Sequence, residues 1–115
     1  MDSASKDLVD EQVYSWLETH KKSGLSYAVL RLLKHKPMWS KDLTEQLTAV
    51  TGWQISERAL YRLLRRMQKQ GLVSHITEAA PRTGADRKVY RLTTEGELFS
   101  ESIKDELNYL AKLDS

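Results

Sequence analysis

The sequence predicts a mainly α-helical domain with a small β-hairpin, an α+β fold, on three observations. Most of the chain carries apolar residues at the 3.6-residue period of amphipathic helices. That period changes after Gly71, where two short segments rich in β-branched and aromatic residues indicate strands. A chain of 115 residues is long enough for one hydrophobic core but too short for two, so residues 1–115 are expected to form a single domain.

Two helices are predicted before Pro37. The first covers residues 6–22 and is expected to break at Ser23-Gly24. The second has Ser26 as its N-cap and ends near Pro37, because the residue before a proline avoids the helical conformation. It is apolar around almost its whole circumference, which predicts a central position. The apolar face of the first helix comprises Val9, Val13, Trp16 and Leu17.

A short extended piece at Met38-Trp39 separates these helices from a third. The third helix is expected to start with Ser40 as N-cap and to end at Gly52, where a left-handed cap is typical. After a short connection, as in a helix-turn-helix, Ser56 is the predicted N-cap of a fourth helix, which ends at Gly71. The predicted buried positions of the third helix are Leu43, Leu47 and Val50.

The fourth helix has two opposite faces. One face is apolar and consists of Leu60, Leu63, Leu64 and Met67. On the other face, four cations at spacing i, i+4, i+7 and i+11 fall within a stripe about 60° wide. This cationic stripe comprises Arg58, Arg62, Arg65 and Lys69. A solvated helix surface is the simpler explanation, because Arg and Lys are good helix formers.

The charge distribution argues against that simpler explanation. The whole chain has a net charge of only +2. Residues 56–92, however, hold nine basic and three acidic residues, a net charge of +6, whereas the rest of the chain holds nine basic and thirteen acidic residues, a net charge of −4. A basic segment within an acidic chain favours local binding of a polyanion.

A hairpin and a last helix complete the pattern. The strands are predicted at residues 72–77 and 87–92, with an exposed tip around Pro81 and Gly84. The last helix, residues 93–114, starts at Thr93 or Thr94, and Thr94 and Glu97 have the spacing of a capping box. Its apolar series is Phe99, Ile103, Leu107, Leu110 and Leu113.

Three helices followed by a basic hairpin are the order of a winged helix, a variant of helix-turn-helix, here over residues 25–92. In that fold the third core helix enters the DNA major groove, and the hairpin, or wing, contacts the flanking backbone. Cations on the helix displace counterions from phosphates, and Arg can also form hydrogen bonds with the major-groove edge of guanine. The helix N-terminus at Ser56 is a further phosphate site. Besides Ser56 and the cationic stripe, the predicted DNA-binding residues are Arg82, Arg87 and Lys88 on the wing.

Two runs resemble the PadR family of bacterial transcriptional regulators. They are ALYRLLRRMQKQGLV at residues 59–73 and RKVYRLTTEG at residues 87–96. They are similar to the family patterns LYxxLxxLxxxGLV, where Met67 stands at the third Leu position, and RKxYxLTxxG. The resemblance covers roughly residues 25–99. It implies a winged helix in which Tyr61 and the basic helix face contact DNA, Arg87 and Lys88 belong to the wing, and the last helix dimerises. It also implies repression of transcription.

The chain departs from the family in two respects. The family's common His-Gly-Tyr is replaced by Met38-Trp39-Ser40-Lys41, and one last helix stands where larger members have a C-terminal domain of several helices. The second difference argues against a small-molecule effector. The short form with an added N-terminal helix is most similar to the Pex-like branch of the family, which is tied to the cyanobacterial circadian clock.

The two end helices predict a homodimer on a palindromic operator. Leaving both apolar stripes in water would cost several kcal/mol at about 25 cal/mol per Å², and packing them against a twofold mate removes that cost. Alternatively, both helices fold back on their own core. The predicted interface comprises Val13, Trp16, Leu17, Phe99, Ile103, Leu107, Leu110 and Leu113.

Other function classes have little support. The chain has no cysteine, its histidines are not at metal-ligand spacing, and it has neither a Gly-rich phosphate loop nor a nucleophile elbow. We therefore expect no metal, no cofactor and no enzymatic activity, and we interpret Trp16 and Trp39 as packing residues. Without a membrane-length apolar run or a signal-peptide core, a cytoplasmic protein is expected. Its histidines are His20, His35 and His75.

Two functions from different classes remain. In the first, the protein is a dimeric, sequence-specific repressor that binds double-stranded DNA. In the second, the winged helix is a protein-interaction module whose basic face binds an acidic partner. The combination of a basic helix and a basic wing favours the first.

Overall fold

The computed structural model describes residues 2–114 and shows the predicted mainly helical fold with a small sheet. The sheet is antiparallel and has three strands in the order β1-β3-β2. The elements in chain order are α1 (Ser3–His35), β1 (Met38–Trp39), α2 (Ser40–Thr51), α3 (Glu57–Lys69), β2 (Val73–Ala79), β3 (Asp86–Leu92), α4 (Thr94–Ala111) and a 3-10 turn (Lys112–Asp114).

The predicted break at Ser23-Gly24 is wrong, because α1 is one continuous helix that also includes the segment predicted as a separate helix at residues 6–22. Ser26, predicted as an N-cap, lies inside α1, where its hydroxyl donates to the carbonyl oxygen of Lys22. Glycine within a helix costs only about 1 kcal/mol relative to alanine. At position 24 it also permits close packing, since a Cβ there would lie 2.8 Å from the Trp53 ring.

The two halves of α1 have opposite environments. Its C-terminal half supplies Leu25, Val29, Leu30 and Leu33 to the core, which confirms a central apolar helix. Residues 2–20 are all exposed, so the alternative in which this segment folds back on its own core is wrong. Trp16, interpreted as a packing residue, is 65% exposed and stacks only on His20 of the same helix.

The extended piece after Pro37 is a strand, β1, that the sequence did not reveal as part of a sheet. Met38 pairs with Tyr90 and Trp39 with Val89 of β3. Trp39 occupies the N-cap of α2 and makes no side-chain capping bond, so the prediction of Ser40 as the cap is wrong by one residue. The pairing with β3 holds the chain extended up to Trp39, and helical geometry therefore begins at Ser40.

In α2, two of the three predicted core positions are confirmed. Leu43 and Leu47 are fully buried, and Gly52 adopts the expected left-handed conformation with φ of 73°. The prediction for Val50 is wrong, because this residue is 59% exposed. It lies in the last turn of α2, where the helix has passed the packed part of the core.

The prediction for α3 is confirmed in detail. The Ser56 hydroxyl oxygen accepts a hydrogen bond from the Ala59 backbone N–H at 3.1 Å, and Gly71 follows the helix with a positive φ of 78°. One face of the helix fills the centre of the core with Leu60, Leu63, Leu64 and Met67, all buried.

The start of α4 is fixed against the end of α3 and β2. Thr93 is the N-cap, and its hydroxyl accepts from the Gly96 N–H and donates to the Gly71 carbonyl. The predicted capping box of Thr94 and Glu97 is therefore wrong. The residue three positions after the cap is Gly96, and a Cβ there would lie 2.0 Å from the carbonyl oxygen of Leu72. Close packing therefore excludes a glutamate at this position.

Ion pairs join α4 to α1 one turn later. Glu101 accepts from Arg31 at 2.8 Å and from Lys34 at 2.5 Å, and Arg31 also donates to the buried Ser100 hydroxyl. The hydrogen bonds from Lys34 and Arg31 lower the pKa of Glu101 from 4.5 to about 2. Beyond this contact, α4 leaves the core.

Candidate nucleic-acid interface

The cationic stripe lies on the solvent side of α3. Arg58, Arg62, Arg65 and Lys69 are all exposed, while the opposite face of the same helix is buried. The structure thus brings the four predicted cations together along one accessible helix face.

The wing lies against one flank of this stripe. The Lys88 ammonium of β3 is 5.4 Å from the centroid of the Tyr61 ring, within range of a cation–π interaction. Tyr61 is 48% exposed. The cleft between helix and wing is lined by Tyr61, Arg65, Gln68, Lys69, Lys88 and Tyr90. Three cations and two phenols from two elements therefore share one concave surface.

The other two predicted wing residues are placed differently. Arg87 donates from Nε and Nη2 to the Glu78 carboxylate across the hairpin, at 3.2 and 3.0 Å, and its guanidinium lies 4.6 Å from the Trp39 ring centroid. Much of its charge is thus compensated within the protein. Arg82 is exposed in the turn between β2 and β3. Trp39, interpreted as a packing residue, is half-buried beneath Arg87.

The opposite flank of α3 carries cations that the sequence interpretation missed. A second cleft, between α1 and the N-terminal half of α3, is lined by Glu18, Lys21, Lys22, Ser56, Arg62 and Arg66. We call it the α1–α3 cleft. The adjacent pair Lys21-Lys22 is the sequence signal of these cations, and it lies in the helix whose apolar face was predicted to dimerise. Arg66 was left out because it lies beside the stripe rather than in it.

Ser56 combines two functions in this cleft. Its hydroxyl oxygen caps α3 by accepting from Ala59, and the side chain is exposed at the helix N-terminus. Ser56, at the positive end of the α3 dipole, lines the same cleft as Arg62, which suits an anionic group.

The eight predicted interface residues are on the surface of the single chain. Seven are exposed and Ile103 is half-buried, and Leu8, Val9, Tyr14, Leu98 and Tyr109 add to the exposed apolar area. Apolar surface of this extent is typical of a protein-protein contact.

Two of the three histidines pack against aromatic rings. The His20 ring stacks on Trp16 and meets Trp53 edge-on, with centroids 5.4 and 6.0 Å apart. The His75 ring lies 5.7 Å from that of Tyr90. Across residues 2–114, no three His, Cys, Asp or Glu side chains converge as metal ligands. Nor does any helix in that range have the length and hydropathy to cross a membrane.

A capped helix whose exposed face is cationic, preceded by a short turn and flanked by a basic hairpin, defines a winged helix-turn-helix module. The family model described as "Transcriptional regulator PadR-like family" matches residues 29–102. The chain therefore belongs to the PadR-like family of transcriptional regulators.

Solved structures agree with this assignment. A PadR-like transcription factor from Bacteroides fragilis is 26% identical with a TM-score of 0.75, over 86% of this chain and 94% of that one. A PadR family transcription regulator from Clostridium difficile is 25% identical with a TM-score of 0.71, over 77% and 92%. Bacillus subtilis PadR, solved in complex with operator DNA, is 25% identical with a TM-score of 0.60, over 68% of this chain but only 46% of that one. A comparison with curated proteins finds no match.

Proposed function

We propose that this protein is a sequence-specific, double-stranded-DNA-binding transcriptional repressor that acts as a homodimer on a palindromic operator. The observation that carries the proposal is the division of α3 into a fully buried apolar face and an exposed face with four cations beside the wing. The core fixes the orientation of the helix, so its cations are presented as a rigid surface.

The residue types suit a duplex. Lys and Arg neutralise phosphates and release counterions, and the forked guanidinium of Arg also pairs with the major-groove edge of guanine. Arg58, Arg62 and Arg65 project from the helix face that would enter the groove. Lys88 lies beside them on the wing, where contact with the flanking backbone is expected.

Dimerisation is supported by the apolar surface of the end helices. Covering that surface with a second copy places two α3 helices in twofold symmetry, which requires half-sites about 34 Å apart or a multiple of that distance. Because the cations of α3 and the apolar residues of α1 and α4 occupy different surfaces, one protomer can contact DNA and its mate simultaneously.

Family membership adds further support, since Bacillus subtilis PadR was solved on operator DNA. More specifically, we propose that the chain belongs to the Pex-like branch of the family and has a cytoplasmic role in circadian clock gene expression. The N-terminal half of α1, which extends beyond the winged-helix core, supports this placement. Genomic footprinting that locates a protected palindrome at a clock-gene promoter would test the branch assignment.

A duplex-binding titration over salt concentration tests the central proposal. Several phosphate contacts require log K to fall steeply with log salt, by about 0.9 for each phosphate neutralised. Arg62→Ala is expected to cost about 1–3 kcal/mol and to relax base preference, whereas Lys88→Ala weakens binding to all sequences alike.

The competing function makes a different prediction. If the basic face binds an acidic protein instead, duplex affinity will be weak and neither substitution will alter sequence preference. Unchanged operator affinity in both variants would contradict the assignment of α3 and the wing to DNA.

A further inference from the structure

The α1–α3 cleft is the second cationic surface beside α3. Its cations come from two elements far apart in the sequence, Lys21 and Lys22 of α1 and Arg62 and Arg66 of α3. Lys22, Arg62 and Arg66 are exposed and Lys21 is half-buried. A surface built from two separate helices is a tertiary feature rather than the solvated face of one helix.

The charges in this cleft are not compensated internally. Within residues 2–114 the four cations form no ion pair, in contrast to Arg31, Lys34 and Arg87, which bind carboxylates. One acid, Glu18, lines the cleft with them. Four cations and one carboxylate leave a net charge of +3, a local field that favours an anion.

The cleft continues the DNA-facing surface. Arg62 belongs both to the cationic stripe and to the α1–α3 cleft. Tyr61 faces the wing, and Arg62 and Arg66 lie about 100° and about 140° further round the helix, towards α1. The cations of α1 therefore flank α3 on the side opposite the wing. A major groove has a phosphate backbone on each side, and the wing accounts for only one.

The position of Lys21 and Lys22 is fixed by packing. Gly24 lets the Trp53 ring approach α1, and His20 contacts the same ring edge-on. These contacts hold the segment that carries both lysines beside the start of α3. A backbone that is already held in place costs less conformational entropy on binding than one that must first be ordered.

We propose that Lys21 and Lys22, together with Arg66, form a second phosphate-backbone contact, so that α1 and the wing hold the two sides of the groove that α3 enters. This inference rests on the proposed function and adds α1 as a third DNA-contacting element. The occupant is the phosphate backbone of duplex DNA, bound without regard to base sequence.

The test compares the full-length double variant Lys21→Ala/Lys22→Ala with wild type on a mixed-sequence duplex of about 40 base pairs, roughly four helical turns. We expect affinity to fall roughly 10-fold at low salt and the slope of log K against log salt to decrease by about 1 to 2 for each bound protomer. Lys36→Ala/Lys104→Ala, which removes the same charge at exposed positions outside the cleft, should leave the slope close to that of wild type.

A gain-of-affinity variant gives an independent measurement. Glu18→Gln removes the one carboxylate that lines the cleft and should tighten duplex binding several-fold, a gain that misfolding does not imitate. Circular dichroism spectra that match wild type establish that each variant is folded.

The outcomes separate this inference from the proposed function. If wild-type protein binds the duplex with steep salt dependence but Lys21→Ala/Lys22→Ala has the same slope as Lys36→Ala/Lys104→Ala, the α1 contact is refuted and the DNA-binding function stands. If wild type shows no salt-dependent duplex binding, both are refuted.

Discussion

The winged-helix core and the two end helices expose opposite kinds of surface. From Leu25 to Leu92 most large apolar side chains are buried or half-buried, and Leu64 has no exposed surface; the exceptions are Val50, Tyr61 and Ile76. In residues 3–20 of α1 and the second half of α4, large apolar side chains stay in solvent, and Leu107 is 44% exposed. The core is complete within one chain, whereas the end helices have apolar faces that one chain does not cover.

This difference assigns two kinds of interaction to two regions. A surface rich in unpaired cations attracts a polyanion at long range, whereas an apolar helix face is stabilised only by close contact. Under the proposed function, the core therefore presents the nucleic-acid surface, and the end helices present the surface for a second copy.

A Leu→Ala substitution should have its largest effect on stability in the core and a much smaller one in the end helices. Leu64→Ala leaves a cavity in the core and should lower the free energy of unfolding by about 2–5 kcal/mol. Leu107→Ala should change the stability of an isolated chain by only about 0.5 kcal/mol. In a dimer it should lower the melting temperature in a way that depends on protein concentration. Urea unfolding measures the change in the free energy of unfolding, and thermal unfolding at several protein concentrations measures the change in melting temperature.

Sedimentation equilibrium provides the control for this comparison. Wild type is expected to be a dimer at micromolar concentration, with Leu107→Ala shifted towards monomer. A wild-type monomer under these conditions would contradict the dimer, and equal losses in the two variants would contradict the division between core and end helices.

The junction between the regions should be the next most sensitive point. Gly96→Ala places a Cβ against the carbonyl oxygen of Leu72, which also accepts the Thr93 N–H, so the first turn of α4 must move. We expect a loss of about 1–3 kcal/mol, as for other overpacked sites. Thermal unfolding measures it, and Ser102→Ala at an exposed position of the same helix is the control. Unchanged stability of Gly96→Ala would show that α4 is not fixed here.

The smallest expected effect concerns the ion pairs that join α4 to the core helix α1. Lys34 and Arg31 lower the pKa of Glu101 to about 2, so the ionised form is favoured in the folded state. The stabilisation is therefore complete above the ordinary value of 4.5 and is lost as pH falls from 4.5 towards 2. Because the group is solvent-exposed, the effect should be modest.

Urea midpoints of wild type and Glu101→Gln over this pH range measure the effect. The difference between the two proteins should be largest above pH 4.5 and should shrink as pH falls towards 2. A difference in urea midpoint that stays constant with pH would show that the ion pairs do not stabilise the contact between α4 and α1.

Local signals made α3 predictable. Ser56 caps it through the N–H of a residue three positions away, Gly71 ends it, and its buried and cationic faces follow from the helical repeat. Two of the predictions that were wrong or incomplete concerned features that depend on long-range contacts. The strand at Met38 depends on a partner at Tyr90, and the identity of the α4 cap depends on how closely Gly96 approaches Leu72.

The candidate site likewise has features that the sequence predicted and features that it did not. The exposed cations of α3 and the proximity of Lys88 followed from residue type and order. The pairing of Arg87 with Glu78 could not be predicted in this way, because two opposite charges in a hairpin meet only if the strand register places them opposite each other. Lys21 and Lys22 were missed because the predicted break at Gly24 separated them from the core that places them beside Arg62 and Arg66.

By itself, the sequence determined the helical period, the caps of α3, the opposition of its two faces and the basic segment within an acidic chain, because these depend on residues within a few positions of one another. Only the tertiary structure decided that α1 is continuous, that a third strand completes the sheet and that α3 has cations on both flanks. Those features depend on packing between distant segments, such as Gly24 against Trp53. The energy of such packing cannot be inferred from residues that are close in the sequence.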